Sequence, residues 1–251
     1  MCEYLTDKDK EYEAVIHLGI VTDTLDLCGN ILQKKESNVS VDMLKEVTEG
    51  FLGEQYQVPP MYSAIKVNGK KLYELARKGK EVVRKPRKIN IKELEILSFD
   101  EKKQQARIRT VVSKGTYIRS LCDDIGKKLG CGACMGELIR TSSGIFNIRE
   151  ALTLDEIERR LKCNEDIHIL HIEDTFNMPC MCSIPKYDRL IANGNAVRPD
   201  MLRAYDRHEE RKAYIITGPD DVCIYMSDGK FAAVYRYNSQ GKIYKPLKMF
   251  L

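Results

Sequence analysis

The sequence predicts an α+β fold whose final third is all β, and three features carry that reading. From Arg87 to Phe99 and again from Gln105 to Val112, β-branched and apolar residues alternate with polar ones on either side of Asp100-Glu101-Lys102-Lys103, which predicts two antiparallel strands. Ser40 and Thr153 each stand before apolar residues at helical spacing, which predicts capped helices flanking the strands. From about Ile184 the texture changes to short β-rich runs separated by Asn193-Gly194-Asn195, Gly218-Pro219-Asp220, Ser227-Asp228-Gly229 and Gln240-Gly241, the pattern of a small all-β barrel.

The elements follow in order. Glu11 to Gly19 alternates as a strand, and the Thr-, Asp- and Gly-rich stretch after it reads as a loop into a second short strand. After Ser40, Val41, Leu44, Val47 and Phe51 recur at three- and four-residue spacing, so a helix runs until just before Gly53. Pro59-Pro60 excludes helix or central strand, and Asn68-Gly69 signals a tight turn. Leu72 to Lys78 is a short amphipathic helix stopped by Gly79. A strand end at Tyr117 leads into a helix that stops near Gly130, and Leu154 to Leu161 forms the helix capped by Thr153. The first domain is expected to span 1–175 and the second 184–251.

Composition bounds the function. With 43% hydrophobic and 31% charged residues among 251, the chain can bury a substantial core. No run approaches a membrane span and Met1 to Asp7 lacks the features of a signal peptide, so a cytoplasmic protein with no membrane partner is expected. Nine cysteines with no even framework suit a reducing compartment and predict no disulfides. The net charge of +4 decides little, but its distribution is uneven. Lys66, Lys70, Lys71, Arg77, Lys78, Lys80, Arg84, Lys85, Arg87 and Lys88 are opposed only by Glu74 and Glu81, with Tyr62 and Tyr73 nearby. Such a patch fits a phosphate backbone, and equally a solvated charged face.

Ser113-Lys114-Gly115-Thr116-Tyr117-Ile118-Arg119 is the stretch richest in chemistry. On an extended segment Tyr117 and Arg119 share a face, where a ring can stack on a base and a guanidinium can grip a carboxylate with two bonds. An ordinary strand end with a surface arginine has the same pattern.

Read with Val58-Pro59-Pro60-Met61-Tyr62-Ser63-Ala64-Ile65-Lys66, Gly69 to Gly79, Thr22-Asp23-Thr24-Leu25-Asp26 with Gly29, and Gly130-Cys131-Gly132-Ala133 through Gly144, the stretch resembles the bacterial tRNA pseudouridine synthase B family over nearly the whole chain. That resemblance implies a pseudouridine-synthase core, a mixed and largely antiparallel sheet flanked by helices, followed by a PUA-like RNA-binding domain opening at Ile191 to Arg198. It implies isomerisation of the T-loop uridine at position 55 of tRNA, with no cofactor and no metal, the tRNA T arm as partner, and a monomer when complete. The uridine must be extruded from its stack, and aromatic or apolar groups replace the lost stacking.

By the same resemblance, Tyr12 lies against the target base and is a candidate for proton transfer, a demanding task for a phenol whose ordinary pKa is about 10. Tyr117 and Leu138 match substrate-contacting positions, Asp26 matches an acidic position lining the pocket, and Arg119 matches the arginine that pairs with the nucleophilic aspartate. Lys66, Lys70, Lys71 and Arg77 would meet the RNA backbone. The family's nucleophile sits in a Gly-x-Leu-Asp-Pro segment, and none occurs in these 251 residues. The chain is therefore expected to be N-terminally truncated and inactive alone, or to be a non-catalytic tRNA-binding protein derived from the family. Met1 opening directly into a helix-like run favours truncation. Arg119 is expected to lack its carboxylate, leaving a distorted or hydrated pocket, unless Asp26 or Asp23 pairs with it. A zinc site built from Cys131, Cys134, Cys180 and Cys182 is a remote third reading, with spacing wrong for a zinc knuckle, and His17, His168, His171 and His208 form no ligand set.

Overall fold

The computed structural model describes residues 2–205 and 221–251, so His208 and the Gly218-Pro219-Asp220 separator lie outside the described residues. The chain divides into two compact units, Met1–Cys163 and Asn164–Leu251.

The first unit opens with α1 (Cys2–Thr6) and then β1 (Lys10–Leu18), β2 (Ile20–Thr22) and β3 (Ile31–Lys34). Helix α2 (Val41–Glu49) follows, with the Ser40 hydroxyl accepting from the Met43 amide as its N-cap. Strand β4 (Gly53–Gln57) precedes the hairpin β5 (Lys66–Val67) and β6 (Lys70–Lys71), whose turn places Asn68 and Gly69 at φ of 50° and 78°. Two left-handed residues in a row define a type I′ turn, which accounts for the Asn-Gly pair. Then come α3 (Leu72–Ala76), β7 (Arg87–Asp100), β8 (Gln105–Val112), α4 (Ile118–Lys128), β9 (Ala133–Ser143), β10 (Phe146–Asn147) and α5 (Leu154–Lys162).

Six of these strands form one antiparallel sheet in the order β10-β9-β1-β8-β7-β4. Strand β1 is central, and its alternation is clean: Ala14, Ile16 and Leu18 are buried, together with Ile108 and Val112 of β8, beneath Leu121, Cys122 and Ile125 of α4. Each fully buried Ile or Leu contributes about 1.5–3 kcal/mol. The opposite face is charged. There Arg109 meets Glu11 at 2.8 Å, Glu93 at 2.7 Å and Glu95 at 3.1 Å.

Strands β4, β9 and β10 are missing from the sequence reading, β9 because its Gly-Glu-Leu-Ile-Arg-Thr centre is half exposed and lacks a clean alternation. The other departure is at Tyr117. The strand ends at Val112, Gly115 turns the chain at φ 79°, and Tyr117 is the extended N-cap of α4, so Arg119 is the second residue of a helix. Tyr117 and Arg119 therefore share no strand face.

In the second unit, β11 (Cys180–Ser183), α6 (Asp188–Ala192), β12 (Leu202–Ala204), β13 (Asp221–Tyr225), β14 (Phe231–Asn238) and β15 (Ile243–Met249) give a sheet in the order β12-β11-β13-β14-β15. Strands β11 and β13 run parallel and the other neighbours antiparallel. Its core holds Ile191 of α6, Val222, Ile224 and Tyr235, so this unit is β-rich with a helix rather than purely β. No helix among the described residues is long and apolar enough to cross a membrane.

Candidate active site

The loop after β2 is built around Asp26. One carboxylate oxygen accepts from the Thr24 hydroxyl at 2.7 Å and the Cys28 amide at 3.1 Å, and the Thr22 hydroxyl donates to the Asp26 carbonyl at 2.8 Å. Leu25, at φ 65°, takes the left-handed conformation that turns the chain there. Gly29 closes the loop so tightly that a Cβ would lie 2.2 Å from the Thr24 hydroxyl. The loop lies along β9, with Leu27 donating to Met135 and Met135 to Leu25 through the backbone.

The second oxygen of Asp26 accepts from Arg119 at 3.1 Å. Arg119 also donates to the carbonyls of Thr24 at 3.2 Å and Tyr62 at 2.7 Å. The two side chains are only 23% and 18% exposed, so the pair is largely withdrawn from solvent. The expectation of a guanidinium without a carboxylate is thus corrected. The loop delivers Asp26 to the N-terminal turn of α4, while Asp23 bonds the backbone and side-chain amides of Asn30.

Sequence reasoning missed Gln57. This buried amide at the end of β4 accepts from the Tyr117 N–H at 2.8 Å and donates to the Tyr117 carbonyl at 3.1 Å. It behaves as a peptide group would in a strand pair, and it fixes the residue from which α4 and Arg119 start. Its only sequence signal is a polar residue before Val58-Pro59-Pro60, where the chain leaves the sheet edge.

Tyr12 lies in phase with Ala14 and Ile16 on the helix-covered face and is half-buried. Leu138 is opposite Ala14 in the register with β9, so it shares that face, diagonal to Tyr12, and is 42% exposed. Met135, opposite Ile16, continues the same face to the Asp26 loop. Asp26, Arg119 and Tyr117 are thus tied together by hydrogen bonds and α4, and Tyr12 and Leu138 lie on the sheet face that Met135 continues to the Asp26 loop. Of the basic residues, Lys66, Lys70 and Lys71 stand on the hairpin, and Lys71 and Arg77 each lie 5.5 Å from the Tyr73 ring centre.

Burial pushes the Cys134 thiol up to about 11, with the Asp26 carboxylate adding to the effect, which keeps this neighbour of the loop protonated. Among the described residues no group of three or more His, Cys, Asp and Glu side chains is placed to hold a metal, and Cys28, Cys122, Cys131, Cys134, Cys163, Cys180, Cys182 and Cys223 are free thiols.

Comparison with known proteins places this arrangement. Residues 1–118 match the profile of the TruB family pseudouridylate synthase N-terminal domain, and residues 119–171 that of the tRNA pseudouridylate synthase B C-terminal domain. The chain belongs to the TruB family. It is 41% identical over 260 aligned residues to tRNA pseudouridine synthase B of Lachnoclostridium phytofermentans, covering all of this chain and 82% of that protein. With the Clostridium novyi protein of the same name identity is 40%, covering 95% of this chain and 78% of the relative. A crystal structure of a Cbf5-Nop10-Gar1 complex matches in fold at a TM-score of 0.66 and 24% identity, over 99% of this chain and 68% of the other. A structure of an H/ACA RNP bound to a substrate RNA containing 2′-deoxyuridine matches at 0.65 and 20%, with the same coverage. Membership in the TruB family makes this a chain of the pseudouridine synthases, a family of isomerases.

Proposed function

We propose that this chain supplies the uridine pocket and the RNA-docking surface of a tRNA pseudouridine synthase acting on the T-loop uridine at position 55. The observation that carries the reading is the Arg119–Asp26 pair, held by Thr24 and the Tyr62 carbonyl beside the sheet face that presents Tyr12 and Leu138. A half-buried ring and an exposed leucine on one face suit an extruded base, and the guanidinium keeps a fixed positive charge near it. Tyr12 lies against the base and is the candidate for proton transfer. Tyr117 and Leu138 contact the uridine, and Asp26 holds Arg119 in place.

Lys66, Lys70, Lys71 and Arg77 follow the phosphate backbone of the T arm. Residues 1–175 act as the catalytic-type domain and 184–251 as a PUA-like RNA-binding domain, in a cytoplasmic protein that is a monomer when complete. No cofactor takes part.

The 251 residues hold no Gly-x-Leu-Asp-Pro segment, which also favours a second reading: tRNA binding without turnover by this chain. Competition binding tests the shared part. A T-arm stem-loop should displace labelled tRNA at lower concentration than a hairpin of the same length with a permuted loop. Equal displacement by the two hairpins would defeat the T-loop assignment.

A further inference from the structure

The face that carries Tyr12 also carries two cations with no assigned task. Arg140 is directly opposite Tyr12 in the β1–β9 register, so the two side chains leave the sheet on the same side. Arg140 is exposed, and its side chain has no hydrogen bond or ion pair among the described residues. Lys10 is two residues before Tyr12, on the same face, and half-buried. Among the described residues its amine donates to two backbone carbonyls, those of Thr6 at 2.6 Å and of Lys8.

The nearby carboxylates are engaged elsewhere, Asp7 by Lys114 and Asp9 by Lys92. Burial holds the Lys10 ammonium below its ordinary range, and the Arg140 guanidinium lowers it further against the opposing pull of Asp7 and Asp9. Two cations that repel one another on a face otherwise shaped for a base are stabilised by an anion between them. Tyr12 at their side fixes which anion. A planar fork and an ammonium next to a stacking ring match a phosphodiester whose attached base lies on the ring.

We propose that Arg140 and Lys10 form a phosphate subsite, holding a phosphate that flanks the extruded uridine and so fixing how far its backbone enters the pocket. This rests on the reading of the Tyr12 face as a uridine pocket. Arg140 supplies the directional bonds and Lys10 the point charge. Neither exchanges a proton with the base.

A double-mutant cycle on the full chain tests it. One partner is Arg140→Gln, with Lys10→Gln as a second variant. The other is a T-arm stem-loop in which the phosphates either side of the target uridine are replaced one at a time by neutral methylphosphonates. Arg140→Gln should weaken binding of the unmodified RNA about tenfold. One methylphosphonate should weaken the parent chain by a similar factor, and the two changes together should cost no more than either alone. Fully additive losses, or an unchanged affinity in Arg140→Gln, would overturn the subsite. Equal weakening of the charged and neutral RNAs by Arg140→Gln would overturn it as well. Should an unrelated hairpin bind as tightly as the T-arm RNA while the coupling persists, the T-loop reading fails and the phosphate subsite stands.

Discussion

At Asp26 one carboxylate serves two ends: its first oxygen organises the loop through Thr24 and Cys28, and its second orients Arg119. Removing its charge leaves a largely buried guanidinium with carbonyl partners alone. Asp26→Asn should therefore lower stability by about 1–3 kcal/mol in chemical denaturation and weaken T-arm RNA binding as well. A variant with parental stability and affinity would show that Arg119 is held by the Thr24 and Tyr62 carbonyls.

His17 gives a pH dependence with a definite sign. Burial lowers its pKa below the ordinary 6.5, against a smaller opposing effect of Glu137. The unfolded chain then binds the proton more readily, so stability is fully present above pH 6.5 and falls as the pH drops from there through the lowered folded value. His17→Gln should flatten denaturation midpoints across that window while the parent slopes downward toward acid.

Among the elements, α4 decides the site. Its N-terminus is stitched to β4 by Gln57, and its C-terminal half sits so close to β9 that a Cβ at Gly126 would lie 2.2 Å from the Ala133 amide nitrogen. Alanine at a helix interior gains about 1 kcal/mol of propensity over glycine. Here that gain is overridden, because neither the Ala133 backbone nor its Cβ can move aside, and Gly126→Ala should destabilise by about 3 kcal/mol or more. Gln57→Leu should cost about 1–3 kcal/mol for each Tyr117 backbone group left unpaired, and should loosen Arg119 with it. Thermal melts of both variants check these values, and a stabilised Gly126→Ala would contradict the packing argument.

The elements also divide by how readable they are. Ser40, Thr153 and Asn68-Gly69 announce α2, α5 and the β5–β6 turn because each signal acts within three or four residues. The Asp26–Arg119 pair spans 93 residues and the Gln57 clamp 60, and both depend on how the sheet brings loops together. Tyr117 misled for a related reason. Alternation predicts a shared strand face, and the choice between strand and helix at Ile118 depends on apolar contacts with β1 and β9 that no local pattern encodes.

For the molecule as a whole, the two faces of the main sheet are specialised. One is packed beneath α4 and opens at Tyr12, Leu138 and Arg140, and the other carries Glu11, Glu13, Glu93, Glu95 and Glu137 around Arg107 and Arg109. An acid-rich outer face repels a polyanion, which is why the proposed RNA contacts are assigned to the Tyr12 face and the Lys66–Arg77 segment. The measurement that tests the account most directly is tritium release from 5-tritiated uridine in unmodified tRNA. It would be made with this chain alone and with the chain joined at Met1 to a relative's segment carrying Gly-x-Leu-Asp-Pro. Background release from the chain alone and clear turnover from the joined protein is the predicted result. Turnover by the chain alone, or none by a folded joined protein that binds the tRNA, would contradict it.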